Sequence, residues 1–279
     1  MPSFPSRPPS VIRPAFFVLL FLGVFSSLPA QPRLGLQSYT CRNLSFEKMV
    51  AFAVEHRLQE VQVFGRHLDP GEPESALAEK QALLRRHGVR VYAGYYPLTA
   101  DQDDNRRVFE LARRFGMDFI VVEPKELALW DDIERLVREF DMRVAIHNHG
   151  AGTVYADPAT VRKVLAGRDS RIGVCLDVGW VTAAGHNAAA VFRAYGDRVW
   201  DIHFKDKAEP SMVNGQMRVE EPPLGEGRVD FAGLARAIRE RDWSGVLALE
   251  SDNREVAKAP GGFVEHGRRF FNELFPSRP

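Results

Sequence analysis

Cysteine is scarce: Cys41 and Cys175 are the only two in 279 residues. Two thiols cannot build a disulfide framework or a cysteine-based zinc module. An excess of charge is missing too, with 37 Lys and Arg against 37 Asp and Glu. A nucleic acid partner, which needs a basic face, is therefore not expected. No Gly-rich phosphate turn follows the first strand candidate, where Tyr39-Thr40-Cys41-Arg42-Asn43 contains no glycine. That argues against a doubly wound open sheet, the second choice of fold. Interdomain linkers and low-complexity segments are absent as well, so one folded domain is expected.

Long apolar runs are also few. Ala15–Phe25 (AFFVLLFLGVF) is an apolar stretch of eleven residues, too short for a hydrocarbon core roughly 30 Å thick. It follows Arg7 and Arg13 in a segment without Asp or Glu and precedes Ser26-Ser27-Leu28-Pro29-Ala30. A basic start, a short apolar centre and a small residue at the end describe a secretory signal. Residues 1–30 are read as that signal and residues 31–279 as the fold, which makes the protein exported, with the periplasm as its expected address. A retained signal anchor is the alternative. After cleavage no membrane span is expected, and two more acidic than basic residues remain.

What is present is a regular alternation. β-rich runs begin near Arg33, Gln59, Val89, Asp118, Met142, Ile172, Arg198 and Gly245. Between them lie apolar residues at helical spacing, such as Phe46, Met49, Val50 and Ala53, or Val108, Leu111, Ala112 and Phe115. Gly88 and Gly116 stand where helices should stop, and Asp157-Pro158 where one should start. Eight such units in about 250 residues predict a single (β/α)8 TIM barrel, an α/β fold, with the segment from Lys205 to Arg228 as its one long loop.

In a parallel barrel the chemistry sits at the C-terminal ends of the strands. Those ends read Glu123, His147-Asn148-His149, Asp177, His203 with Lys205-Asp206, and Glu250. Carboxylates and imidazoles collected there suit one divalent metal ion, Mn2+, Zn2+, Co2+ or Mg2+. His147 and His149 point the same way along an extended strand, so either or both can be the ligand. Cys175 shares the face of Asp177 one layer deeper, where packing is the expected role. Tyr39, Phe64, Tyr95, Tyr96 and Trp180 near strand ends are candidates for stacking on a sugar.

Together these stretches resemble the xylose isomerase-like TIM barrels grouped as sugar phosphate isomerases/epimerases. The matching segments are Gly35-Leu36-Gln37-Ser38-Tyr39, Ala145-Ile146-His147-Asn148-His149-Gly150 and Cys175-Leu176-Asp177-Val178-Gly179. Further along are Asp201-Ile202-His203-Phe204-Lys205-Asp206, Leu224-Gly225-Glu226-Gly227 and Leu247-Ala248-Leu249-Glu250. The resemblance implies a divalent ion on strands 5 to 8, with Asp177, His203 and Glu250 at three family ligand positions. His147 stands where many relatives have Glu, which removes one of the two carboxylates of a symmetric epimerase. Trp180 stands where relatives often have His, and strand 3 has no histidine, so the three-zinc endonuclease IV branch is a poor match.

The expected reaction is isomerisation or epimerisation of an unphosphorylated sugar or keto-sugar by proton transfer next to a carbonyl. Export away from phosphorylated metabolites is the reason for choosing an unphosphorylated substrate. Glu250 is the first choice of base, with His147 or His149 returning the proton and Lys205 holding a substrate oxygen. Glu123 is read as orienting a histidine or contacting substrate, and Tyr95 and Trp180 as substrate contacts. Two alternatives stay open: a lyase that eliminates a β-substituent from a keto-glycoside, and a sugar-binding barrel without turnover. The carbohydrate is the expected partner, and a homo-oligomer is compatible with the sequence.

Overall fold

The computed structural model of the chain describes residues 31–276 together with Met1. The expected signal segment and its cut after Ala30 lie outside the described residues. Seven parallel strands come first: β1 Arg33–Gln37, β2 Glu60–Phe64, β3 Arg90–Tyr95, β4 Phe119–Val122, β5 Arg143–His147, β6 Ile172–Asp177 and β7 Val199–Phe204. An antiparallel hairpin follows, β8 Ser211–Val213 and β9 Gln216–Arg218, and then β10 Val246–Leu249. The barrel closes in the order β1-β10-β7-β6-β5-β4-β3-β2, with β1 pairing both β10 and β2. This closed barrel replaces the open-sheet alternative, and every barrel strand begins within one residue of its expected start.

Each strand is covered on both faces, which is why it reads as a near-continuous apolar run. Tyr92, Phe119, Val121, Ala145, Cys175 and Ala248 fill the inside of the barrel. A larger apolar layer, with Met49, Ile120, Ile146 and Phe192 among its members, packs between the strands and the surrounding helices. Gly173 marks a close approach, since a Cβ there would meet Arg198 O at 2.5 Å.

Local signals set the helix ends. Ser45 Oγ accepts from Lys48 N at the start of the helix Phe46–Glu55, and the Asp157 side chain caps Pro158–Leu165. Gly88 and Gly116 end their helices at φ of 64° and 65°, which a residue without Cβ adopts without strain. The segment 205–228, expected as plain loop, contains the β8–β9 hairpin. Asn214-Gly215, both at positive φ, form its two-residue turn. Among the described residues no helix is long and apolar enough to cross a membrane. Cys41 and Cys175 are buried free thiols, as expected.

Candidate metal centre at the mouth of the barrel

The period-2 alternation of a strand explains the site. On β5, β6 and β7 the inward column ends on His147, Asp177 and His203, and just beyond β10 it ends on Glu250. One atom from each of these four residues lies within 4.8 Å of the other three, and all four residues are buried. His147 Nε2 stands 3.0 Å from His203 Nδ1 and 3.6 Å from Asp177 Oδ2. His203 Nδ1 stands 3.7 Å from Asp177 Oδ2 and 2.6 Å from Glu250 Oε2. Asp177 Oδ2 and Glu250 Oε2 nonetheless make no hydrogen bond, although both are buried.

Their charge is met instead by ion pairs with the buried Lys205 and by the imidazole of His203. Two nitrogens and two carboxylate oxygens aimed at one point fit a divalent cation. The other oxygen of Asp177 is already used: Oδ1 accepts from Trp180 N and caps the helix that follows β6. Asn148 ties β5 to β6 by exchanging two hydrogen bonds with the Asp177 backbone, 3.0 and 2.9 Å long.

Lys205 is fully buried beside this quartet. Its Nζ lies 3.1 Å from Asp177 Oδ2, 2.9 Å from Glu250 Oε2 and 3.1 Å from Asp252 Oδ2. Burial would lower its pKa, but the surrounding carboxylates hold it well above the ordinary lysine value, so it is an ammonium. Asp177 is held well below the carboxylate range against its burial, chiefly by Lys205. Glu250 is likewise held low against burial, by His203 and Lys205.

Glu123, just past β4, is the hub of the neighbouring wall. Its Oε2 accepts from Tyr95 OH at 3.0 Å, pairs with His149 Nδ1 at 2.5 Å and lies 3.5 Å from His147 Nδ1. Burial pushes the Glu123 carboxyl up, but the two histidines bring it down to about 2. Burial lowers the His149 pKa, and the Glu123 hydrogen bond and charge raise it above the ordinary value. Of the two strand-5 histidines, His147 is thus placed in the quartet and His149 on Glu123.

The cleft above the quartet has a volume of about 280 Å3. His147, His149, Glu250 and Asp252 line one side of it, and Gln37, Tyr39, Phe64 and Tyr95 the other. No Lys or Arg is among these lining residues. Tyr39 and Phe64 meet edge to face with centroids 5.5 Å apart. Tyr96 instead turns into the core, where its hydroxyl donates to Leu68 O. Trp180 is not a lining residue: its ring packs under Lys207 Nζ, 4.1 Å away, and leaves no room for a Cβ at Gly150.

Sequence reasoning missed several members of this region. Glu221, from the long loop, returns to accept from Lys207 Nζ at 3.0 Å, from Asp252 N at 3.0 Å and from Ser251 Oγ. Gln62 and Asp201 lie directly beneath the quartet, fully buried. Burial pushes the Asp201 carboxyl up to about 6, opposed by His203 and by hydrogen bonds from Tyr92 and Cys175. Their signal was visible, a polar residue inside an otherwise apolar strand, as in Glu60-Val61-Gln62-Val63-Phe64.

Known proteins resemble the chain across this architecture. It is 27% identical over 158 residues to the inosose dehydratase of Lacticaseibacillus casei, covering 50% of this chain and 51% of that protein. It is 24% identical over 216 residues to the inosose dehydratase of Clostridium perfringens, covering 72% and 71%. The chain thus spans about half the length of several curated relatives it matches. Among solved structures, the zinc-bound IOLI protein superposes with a TM-score of 0.71 at 13% identity, covering 87% of this chain and 97% of that one. The 3-keto-D-glucoside 4-epimerase YcjR of E. coli gives 0.64 at 13% identity, covering 87% and 100%. Residues 50–274 match the sequence family described as xylose isomerase-like TIM barrel, and with the closed eight-stranded barrel already in view, the chain belongs to that family.

Proposed function

We propose that the barrel moves a proton on a carbon next to a carbonyl group of an unphosphorylated keto-sugar or keto-cyclitol, with a divalent ion held by His147, Asp177, His203 and Glu250. The observation that carries this reading is the convergence of two imidazole nitrogens and two carboxylate oxygens, from four buried residues on four strand ends, to within 4.8 Å of one another. When bound, such an ion polarises a carbonyl and a neighbouring hydroxyl oxygen and so acidifies the adjacent C–H. The relatives named for sugar and cyclitol chemistry support the substrate class. The absence of Lys and Arg from the cleft lining supports a substrate without phosphate.

The chain's own residues divide the work. Tyr39, Phe64 and Tyr95 offer apolar ring surface to the C–H face of a sugar ring. Glu250 keeps Oε1 for the substrate proton while Oε2 stays in the quartet. Lys205 fixes the position and ionisation of Glu250 and Asp177 from behind. Further along the same wall, at the β5 end, His149, oriented through Nδ1 by Glu123, presents Nε2 as the second acid/base group. With the proton returned to carbon, the outcome is isomerisation or epimerisation.

A second reading, elimination, is favoured by one feature of the geometry: the two acid/base groups are unlike. A carboxylate on the β10 side and a carboxylate-supported imidazole on the β5 side suit removal of the C–H proton by one and protonation of a departing β-oxygen by the other. The dehydratase relatives point the same way. Incubation of the residue 31–279 protein with Mn2+ and a panel of keto-sugars in D2O tests the common step. Deuterium at the α-carbon is expected, and release of water or of an aglycone selects elimination over epimerisation. Sugar binding without any exchange would overturn both enzymatic readings in favour of a binding protein.

A further inference from the structure

Beneath the quartet, three side chains form a directed chain of hydrogen bonds that the roles above leave unused. Asp201 is fully buried, and among the described residues its one ion-pair neighbour is His203, at 4.0 Å. Three donors converge on it. Gln62 Nε2 and Cys175 Sγ donate to Oδ2, at 2.5 and 3.4 Å, and Tyr92 OH donates to Oδ1 at 2.9 Å. A group that only accepts forces the Gln62 amide to turn its NH2 toward it. The Gln62 carbonyl oxygen must then face the other way, where it sits 2.8 Å from His203 Nε2. A carbonyl oxygen cannot donate, so His203 carries a proton on Nε2, and Nδ1 is the nitrogen left to face a metal ion. Nδ1 is the atom aimed at His147 Nε2, Asp177 and Glu250.

We infer that Asp201 and Gln62 are positioning residues that hold the proton on His203 Nε2 and thereby tune the metal affinity of the quartet. The metal half of this inference rests on the proposed metal site; the Nε2-proton half does not. The reason is directional. A metal-binding imidazole needs its second nitrogen protonated and held, and loss of such an outer partner commonly weakens binding about tenfold to a hundredfold. The carboxylate at 201 acts through Gln62, because it alone decides which end of that amide meets His203. The register agrees: on neighbouring strands Cys175 pairs with Asp201 and, one layer higher, Asp177 pairs with His203.

Asp201→Asn tests this with almost no change in shape. The carboxamide at 201 can present NH2 to Gln62, whose amide then turns over and offers NH2 to His203. The expected results are loss of the proton from His203 Nε2, read by 15N-histidine NMR on the metal-free protein, and Zn2+ binding weaker by about tenfold to a hundredfold. The double variant Gln62→Glu/Asp201→Asn keeps the net charge and restores the direction, since the carboxylate at 62 accepts from both neighbours. It should regain the Nε2 proton and most of the Zn2+ affinity. A purely structural role predicts the reverse, a double variant no better than the single one. An Asp201→Asn protein that keeps the Nε2 proton, or a double variant without recovery, overturns the inference. If Asp201→Asn does not fold, Gln62→Met is read instead: partial loss of the Nε2 proton and weaker Zn2+ binding are expected, and a fully Nε2-protonated His203 with unchanged affinity overturns it. A wild-type protein that binds no Zn2+ would remove the metal reading, while the NMR result would still judge the relay.

Discussion

The two sides of the barrel mouth are built from the same strand ends and differ in nearly every physical respect. On the β1 to β3 side the cleft is walled by Tyr39, Phe64 and Tyr95, with Gln37 as the polar exception. On the β5 to β10 side stand the imidazoles of His147, His149 and His203 and the carboxylates of Asp177, Glu250 and Asp252, these three carboxylates gathered around the buried ammonium of Lys205. Glu123 bridges the halves, accepting from Tyr95 on one side and holding His149 on the other. The contrast teaches a division of labour. Buried charge is costly and persists where it is paired or bound to metal, whereas aromatic surface supplies contact without charge.

The sharpest way to break this comparison is to empty the charged side. His203→Ala removes a nitrogen from the quartet, and metal stoichiometry by elemental analysis should fall to background. Turnover should drop by on the order of 10³. Full metal occupancy in that variant would show that the quartet is not the metal site. Next in size, His149→Ala should lower turnover by on the order of 10² while the metal stays bound. Glu123→Gln, which leaves His149 in place but removes the charge behind it, should cost about tenfold. If either variant loses the metal, the separation of ligand quartet from acid/base couple fails.

The aromatic side should respond differently. Tyr39→Ala is expected to raise KM by roughly two- to tenfold, about 0.5–1.5 kcal/mol, with kcat nearly unchanged. A fall in kcat at constant KM would place that wall in the chemistry. The smallest functional effect belongs to Gly150→Ala, outside the cleft. Its Cβ would meet the Trp180 ring at 2.6 Å, and thermal unfolding should show a loss of about 1–3 kcal/mol from overpacking.

Much of this was readable along the chain. The spacing of strands and helices gave the barrel because both-face burial writes itself as apolar runs, and Gly88, Gly116 and Asp157-Pro158 gave helix ends because their conformations are local. The polar residue that closes each inward column marks Glu123, His147, Asp177, His203 and Glu250 as neighbours from the sequence alone. Trp180 shows the limit: it was read as a substrate contact from its place after a strand, yet its ring is taken up by Lys207 and Gly150, partners distant in sequence. Asn214-Gly215 shows an unused signal, a hairpin turn inside a segment read as loop.

The sequence by itself therefore determined the architecture and the set of chemical groups, since periodicity and residue type are local properties of the chain. It could not choose between His147 and His149, because both point the same way along an extended strand. Closure of the barrel made that choice. It curves β5 toward β7 across the intervening β6 so that His147 Nε2 meets His203 Nδ1, while the strand end beyond β4 carries Glu123 to His149. Closure likewise places Gln62 of β2 against Asp201 and His203 of β7, across the interior and 139 and 141 residues away in the chain. Contacts of that range depend on strand register and shear around the closed barrel, which no stretch of sequence encodes alone.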